Sequence, residues 1–78
     1  MTDVVVSDGR RDIRLSHRDL GQDATGQWVA VFSGSGMEII SRFRTTTARH
    51  ERGYAAERFH HDMDVLKEHG LTLVSVEI

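Results

Sequence analysis

The hydrophobic pattern along the chain changes period twice. Through residue 44 the apolar residues come in short, β-branched or alternating runs. From about Ala48 the spacing becomes helical, and after Gly70 it returns to a β-type run. Val4-Val5-Val6 and Asp12-Ile13-Arg14-Leu15 flank Asp8-Gly9, a pair suited to a two-residue turn because such turns need positive φ. Centring a hairpin there pairs Val6 with Arg11, Val4 with Ile13 and Asp3 with Arg14. Val4, Val6, Ile13 and Leu15 then share one face, and Asp3 opposes Arg14 on the other. Ser16 to Gly26 is polar and contains Gly21, Asp23, Thr25 and Gly26, so it is expected to be a mobile loop between two hairpins.

Gln27 to Phe32 predicts a strand, Ser33 to Gly36 a four-residue turn, and Met37 to Arg44 the returning strand. This register pairs Phe32 with Met37, Ala30 with Ile39 and Trp28 with Ser41. It buries Trp28, Ala30, Phe32, Met37, Ile39 and Phe43. Val29, Val31, Glu38, Ile40, Arg42 and Arg44 fall on the opposite face. Thr45-Thr46-Thr47 offers an N-cap for a helix over Ala48–His69, whose apolar stripe is Ala48, Arg52, Ala55, Ala56, Phe59, Met63 and Leu66. Gly70 is a suitable helix terminator, and Leu71 to Ile78 reads as the last strand. The order β-β-β-β-α-β predicts an α+β, two-layer fold: a mostly antiparallel sheet with one long helix on one face. A helix of that length would span roughly 33 Å, more than the strands beneath it. Either the helix bends or starts near Gly53, or its first turns, bearing Arg49, His50 and Glu51, overhang the sheet.

Seventy-eight residues hold one domain, 1–78, and a chain this short buries only about 60–65% of its unfolded surface. There is no Cys, so neither a disulfide nor a thiolate metal site supplements the thin core. A partner, often a second copy, is a common substitute. The sequence shows no charged-then-apolar leader and no run of the ~18 apolar residues a membrane span needs, which leads us to expect a cytoplasmic protein without a membrane partner. Ten basic against twelve acidic residues give a net charge of −2, so a chain-wide basic field for nucleic acid is lacking. The basic residues are nine Arg and one Lys, Lys67. Arg has the planar fork that suits interfaces and phosphates.

Catalytic chemistry finds little to use. His50, Tyr54, Glu57, His61, Asp64 and Glu68 form one line opposite the apolar stripe. Glu57 and His61, at i and i+4, could chelate a divalent ion, yet an outer helix face lacks the concave, dry pocket of a catalytic metal. Ser33 to Gly36 leads into a strand rather than a helix N-terminus, which makes it a poor phosphate cradle. Asp12, Asp19 and Asp23 lack calcium-loop spacing. The expectation is a chain without enzymatic activity, cofactor or metal.

The second hairpin is apolar on both faces, and one helix covers only one. Val29, Val31 and Ile40, with Val5 beside them, are expected to form the apolar centre of an open sheet face. Arg14, Arg42 and Arg44 would rim it among Asp3, Asp12 and Glu38. Such a centre and rim is how protein interfaces are built. The leading expectation is a small binding or regulatory domain that grips protein through this face, as a homodimer or with another partner. The segment Gly26-Gln27-Trp28-Val29-Ala30-Val31, the run Ile40 to Arg44 and the following alanine-bearing helix resemble the arm-type DNA-binding module of tyrosine recombinases, over roughly half the chain. That resemblance implies an accessory DNA-binding domain reading DNA from its sheet. The chain departs from it in its negative charge, its N-terminal hairpin and its C-terminal strand. A metal-binding protein or enzyme that uses Glu57 and His61 is the third alternative.

Overall fold

Short β-branched or alternating apolar runs set up four consecutive antiparallel strands. They are β1 (Thr2–Ser7), β2 (Asp12–Gln22), β3 (Trp28–Gly34) and β4 (Met37–Phe43), followed by helix α1 (Glu51–Glu68) and β5 (Thr72–Glu77). The structure is a computed structural model and describes residues 2–44 and 51–77, with helix side chains from Arg58 onward. The fold is α+β in the predicted chain order. The five strands lie in the order β4-β3-β2-β1-β5, every pairing antiparallel. Because β5 adds beside β1 rather than β4, α1 carries the chain across one sheet face and touches both edge strands.

Both hairpins differ from the predicted register by two residues. In the first, Val6 pairs with Ile13 and Val4 with Leu15, so Asp8 to Arg11 form a four-residue loop closed by Ser7 and Asp12. Asp8 lengthens it: its carboxylate accepts the amides of Arg10 at 2.8 Å and Arg11 at 3.0 Å, which keeps both out of the ladder. In the second, Val31 pairs with Ile40 and Gly34 with Met37, leaving a two-residue turn at Ser35-Gly36. Both turn residues have positive φ, 51° and 78°, as a tight primed turn requires. A slip of two preserves the pleat, so each residue keeps its predicted face.

The expected loop over residues 16–26 is instead largely strand. β2 continues to Gln22, with a bulge at Leu20 between Asp19 and Gly21, and only residues 23–27 turn. The polar residues that suggested a loop fix these local features. Asp19 accepts the Gly21 amide at the bulge. Asp23 accepts the amides of Thr25 and Gln27 and the Thr25 hydroxyl at 2.7–3.0 Å.

The core lies between the sheet and α1. Val4, Val6, Ile13, Leu15, Phe32 and Ile39 from the sheet pack on Val65, Leu66 and Leu71, with Met37, Met63 and Leu73 around them. Trp28 and Phe43, predicted inside, are half-buried at one end, and Ser41 is buried instead. The helix meets the sheet through a rotated stripe: Asp62, Val65 and Leu66 are buried, whereas Phe59 is 46% exposed. Arg58 lies 4.0 Å over the Trp28 ring and pairs with Asp19 at 3.1 Å, so its apolar stem covers the sheet end. The helix stops in a Schellman arrangement. Gly70 has φ 75°, its amide donates to Lys67, and the Leu71 amide donates to Leu66 at 3.0 Å. Eighteen residues give a helix of about 27 Å. The predicted N-cap Thr45–Thr47, the overhang at Arg49 and His50, and the side chains of Glu51 and of the stripe residues Ala48, Arg52, Ala55 and Ala56 lie outside the described residues.

Candidate functional site

Strand pairing orders the sheet face opposite α1 into rows, since cross-strand partners share a face. One row is Val5, Arg14 and Ser75. The next crosses all five strands as Glu77, Asp3, Ser16, Ser33 and Glu38. The third is Arg18, Val31 and Ile40, and the fourth Gly21, Val29 and Arg42. No element covers this face among the described residues. Ile40 is 46% exposed, and Val29 and Val31 are half-buried between their neighbours.

The register therefore divides the predicted site residues. Val29, Val31, Ile40 and Arg42 form one contiguous patch on β3 and β4. Arg14 sits four residues away along β2 from the row of Val31, roughly 13 Å. It turns to the other half of the face, with a hydrogen bond to Glu77 and a 3.7 Å pairing to Asp3. Glu77's hydrogen bond and charge, aided by Asp3, raise the Arg14 pKa further, so Arg14 offsets part of the acidic row's charge. Val5 goes with Arg14 and is no part of the patch. Arg44 is exposed just beyond β4. Arg18, exposed and paired with Val31, takes the place that Arg14 was expected to hold. Reading residues 16–26 as a loop hid it, and the alternation Arg14-x-Ser16-x-Arg18 was the available signal.

Arg42 anchors one end of the patch. It meets Asp23 at 3.4 Å while 53% of its side chain remains exposed, so most of its five N–H donors are open. Asp23 is itself fixed. The Thr25 hydroxyl, with the Gln27 and Thr25 amides and the Arg42 charge, holds its carboxyl below the ordinary value of 3.8.

The helix side of the sheet holds a polar cluster. Buried Asp62 accepts the hydroxyl of buried Ser41 through Oδ1 and meets His17 Nε2 at 3.0 Å through Oδ2. The residue types are those of a nucleophilic triad, but the order is not. Here the carboxylate stands between serine and histidine, and Ser41 is 1% exposed. A nucleophilic serine needs its base in contact and a route to substrate. The cluster instead ties α1 to β2 and β4. Beside it an apolar groove of about 310 Å³ runs between Val4, Phe32 and Val76 of the sheet and Phe59 and Met63 of the helix, with His17 at its edge. Among the described residues no group of three His, Asp or Glu side chains is placed to hold a metal ion. His61 lies 5.3 Å from the Phe43 ring, and the side chains of His50, Tyr54 and Glu57 lie outside that set. No described helix is long and apolar enough to cross a membrane.

The strand-strand-helix likeness to the recombinase module spans β3, β4 and α1 and leaves β1, β2 and β5 outside it. No family model, no curated protein and no solved structure matches this chain.

Proposed function

We propose that this chain is a small non-catalytic binding domain that docks protein through the sheet face opposite its helix and works in the cytoplasm. The observation that carries this reading is the Val31–Ile40 cross-strand pair, flanked by Val29, on a face that no described element covers. Arg18, Arg42 and Glu38 surround the pair, which supports a partner surface with an apolar centre and charges of both signs. The acidic row through Glu77, Asp3 and Glu38 speaks against a phosphate backbone, because it lies in the row next to the arginines and would repel the phosphates along the same face. The half-exposed Ile40 would be desolvated on docking and would contribute most, as central apolar residues of interfaces do.

A photo-cross-linking residue placed at Ile40 tests this in the cells that make the protein, with the same residue at exposed Glu68 on the helix as control. A protein adduct from position 40 and none from position 68 is expected. Equal adducts from both positions, or none from position 40, would overturn the reading.

A further inference from the structure

We infer that the protein docked on this face is a second copy of the chain, packed face to face about a twofold axis that crosses the strands through the Val31–Ile40 pair. This rests on the reading of the outer face as a docking surface. The argument comes from the spacing on β4. Glu38, Ile40 and Arg42 alternate on the outer face, with opposite charges two residues either side of Ile40, each about 7 Å away. A face-to-face pair has its twofold axis in the plane between the sheets. An axis through Ile40 and across the strands sets Glu38 of one copy over Arg42 of the other, and symmetry makes this contact twice. Ile40 and Val31 then meet their own counterparts at the centre. An axis along the strands would instead lay the acidic row on itself, Glu38 against Glu38. The charge pattern thus selects both the occupant and the axis.

The remaining groups fit this placement. Asp3 and Glu77 lie on β1 and β5, whose described residues stop short of the rows beyond the axis, and Arg14 already offsets half of their charge. The Asp23 contact is long enough, and Arg42 exposed enough, for a second carboxylate to share the guanidinium. One like-charge contact results: Arg18 lies on the axis row and faces its counterpart. Arg18 is exposed, and no described residue of β1 pairs with it, so the two guanidinium groups keep contact with solvent. The patch is three strands wide and about seven residues long, roughly 14 by 23 Å, which is below the standard interface size. A weak, transient dimer that forms only at high concentration is therefore expected.

Sedimentation of the whole chain across a wide concentration range reads this directly. The wild type should pass from 8.8 kDa to twice that mass. Glu38→Arg and Arg42→Glu alone should each weaken association by about tenfold, since each turns two attractive contacts into two repulsive ones. An equimolar mixture of the two variants should recover the wild-type affinity, because every mixed contact again joins opposite charges. Arg18→Ser should tighten the dimer. Circular dichroism checks that each exposed substitution leaves the fold intact. A wild type that stays monomeric up to millimolar concentration, or a dimer indifferent to both reversals, overturns the inference. A cross-link from position 40 to a protein of another mass would leave the docking face standing and remove the second copy. No cross-link there would remove both.

Discussion

Two carboxylates show what single residues do in this molecule. Asp62 is 6% exposed and satisfies both Ser41 and His17. Asp62→Ala would leave the Ser41 hydroxyl buried without its acceptor, and a loss of about 1–3 kcal/mol is expected in urea unfolding. Adding Ser41→Ala should recover part of that loss, since the orphaned hydroxyl is then removed as well. Asp23 acts at the surface, where hydrogen bonds from Thr25 and Gln27 lower its pKa. A carboxyl lowered on folding adds stability above its unfolded pKa, and that stability is lost as pH falls through the folded value. Asp23→Asn should therefore lower stability at neutral pH and flatten the loss below about pH 4. Acid unfolding followed by circular dichroism measures both effects. Neither residue's role could be read from apolar spacing. A stripe built from hydrophobic positions passes over Asp62 and Arg58, yet these two face the sheet because hydrogen bonds and a stacked stem make their burial tolerable.

Elements were more legible than their pairing. The change of period located the helix and all five strands but cut β2 short before Ser16, and Gly70 marked the helix end because a left-handed residue is needed there. Gly70→Ala is expected to cost roughly 1–2 kcal/mol, the penalty of a Cβ at that φ, seen as a lower urea midpoint with an unchanged slope. Gly34 marks a different constraint. A Cβ there would stand 2.8 Å from the Arg14 carbonyl, where β3 runs close along β2. Gly34→Ala should force these strands apart and destabilise more than Gly70→Ala does. The register escaped the sequence reading because it depends on loop length, and loop length depended on what Asp8 and Ser35 do locally. Since both slips were even, Val29, Val31 and Ile40 still fell on one face, so that part of the candidate site was readable. Arg14 and Val5 were misplaced because their position relative to the patch depends on how far β2 runs, and Asp19 and Asp23 look like loop residues while stabilising a bulge and a tight turn.

At the scale of the whole molecule, charge bears on the choice of partner. Net charge is −2 and an acidic row crosses the sheet face, so the protein should pass over immobilised duplex DNA unretained at ~50 mM salt. Salt-dependent retention that disappears on changing Arg42 and Arg44 to Ala would contradict this. Topology bears on assembly of the chain itself. β1 lies between β2 and β5, and Asp3 pairs with Glu77, so residues 74 positions apart are neighbours. Synthesis delivers the four-stranded meander first, with one side of β1 unmatched and the apolar layer of Val4, Val6, Leu15 and Phe32 uncovered. Val65, Leu66 and Leu71, which seal that layer, and the strand that closes the edge follow only after it in the chain. A nascent meander therefore has nothing stable to rest on until α1 and β5 have followed it out, and until then its open edge and apolar layer are what a chaperone would meet.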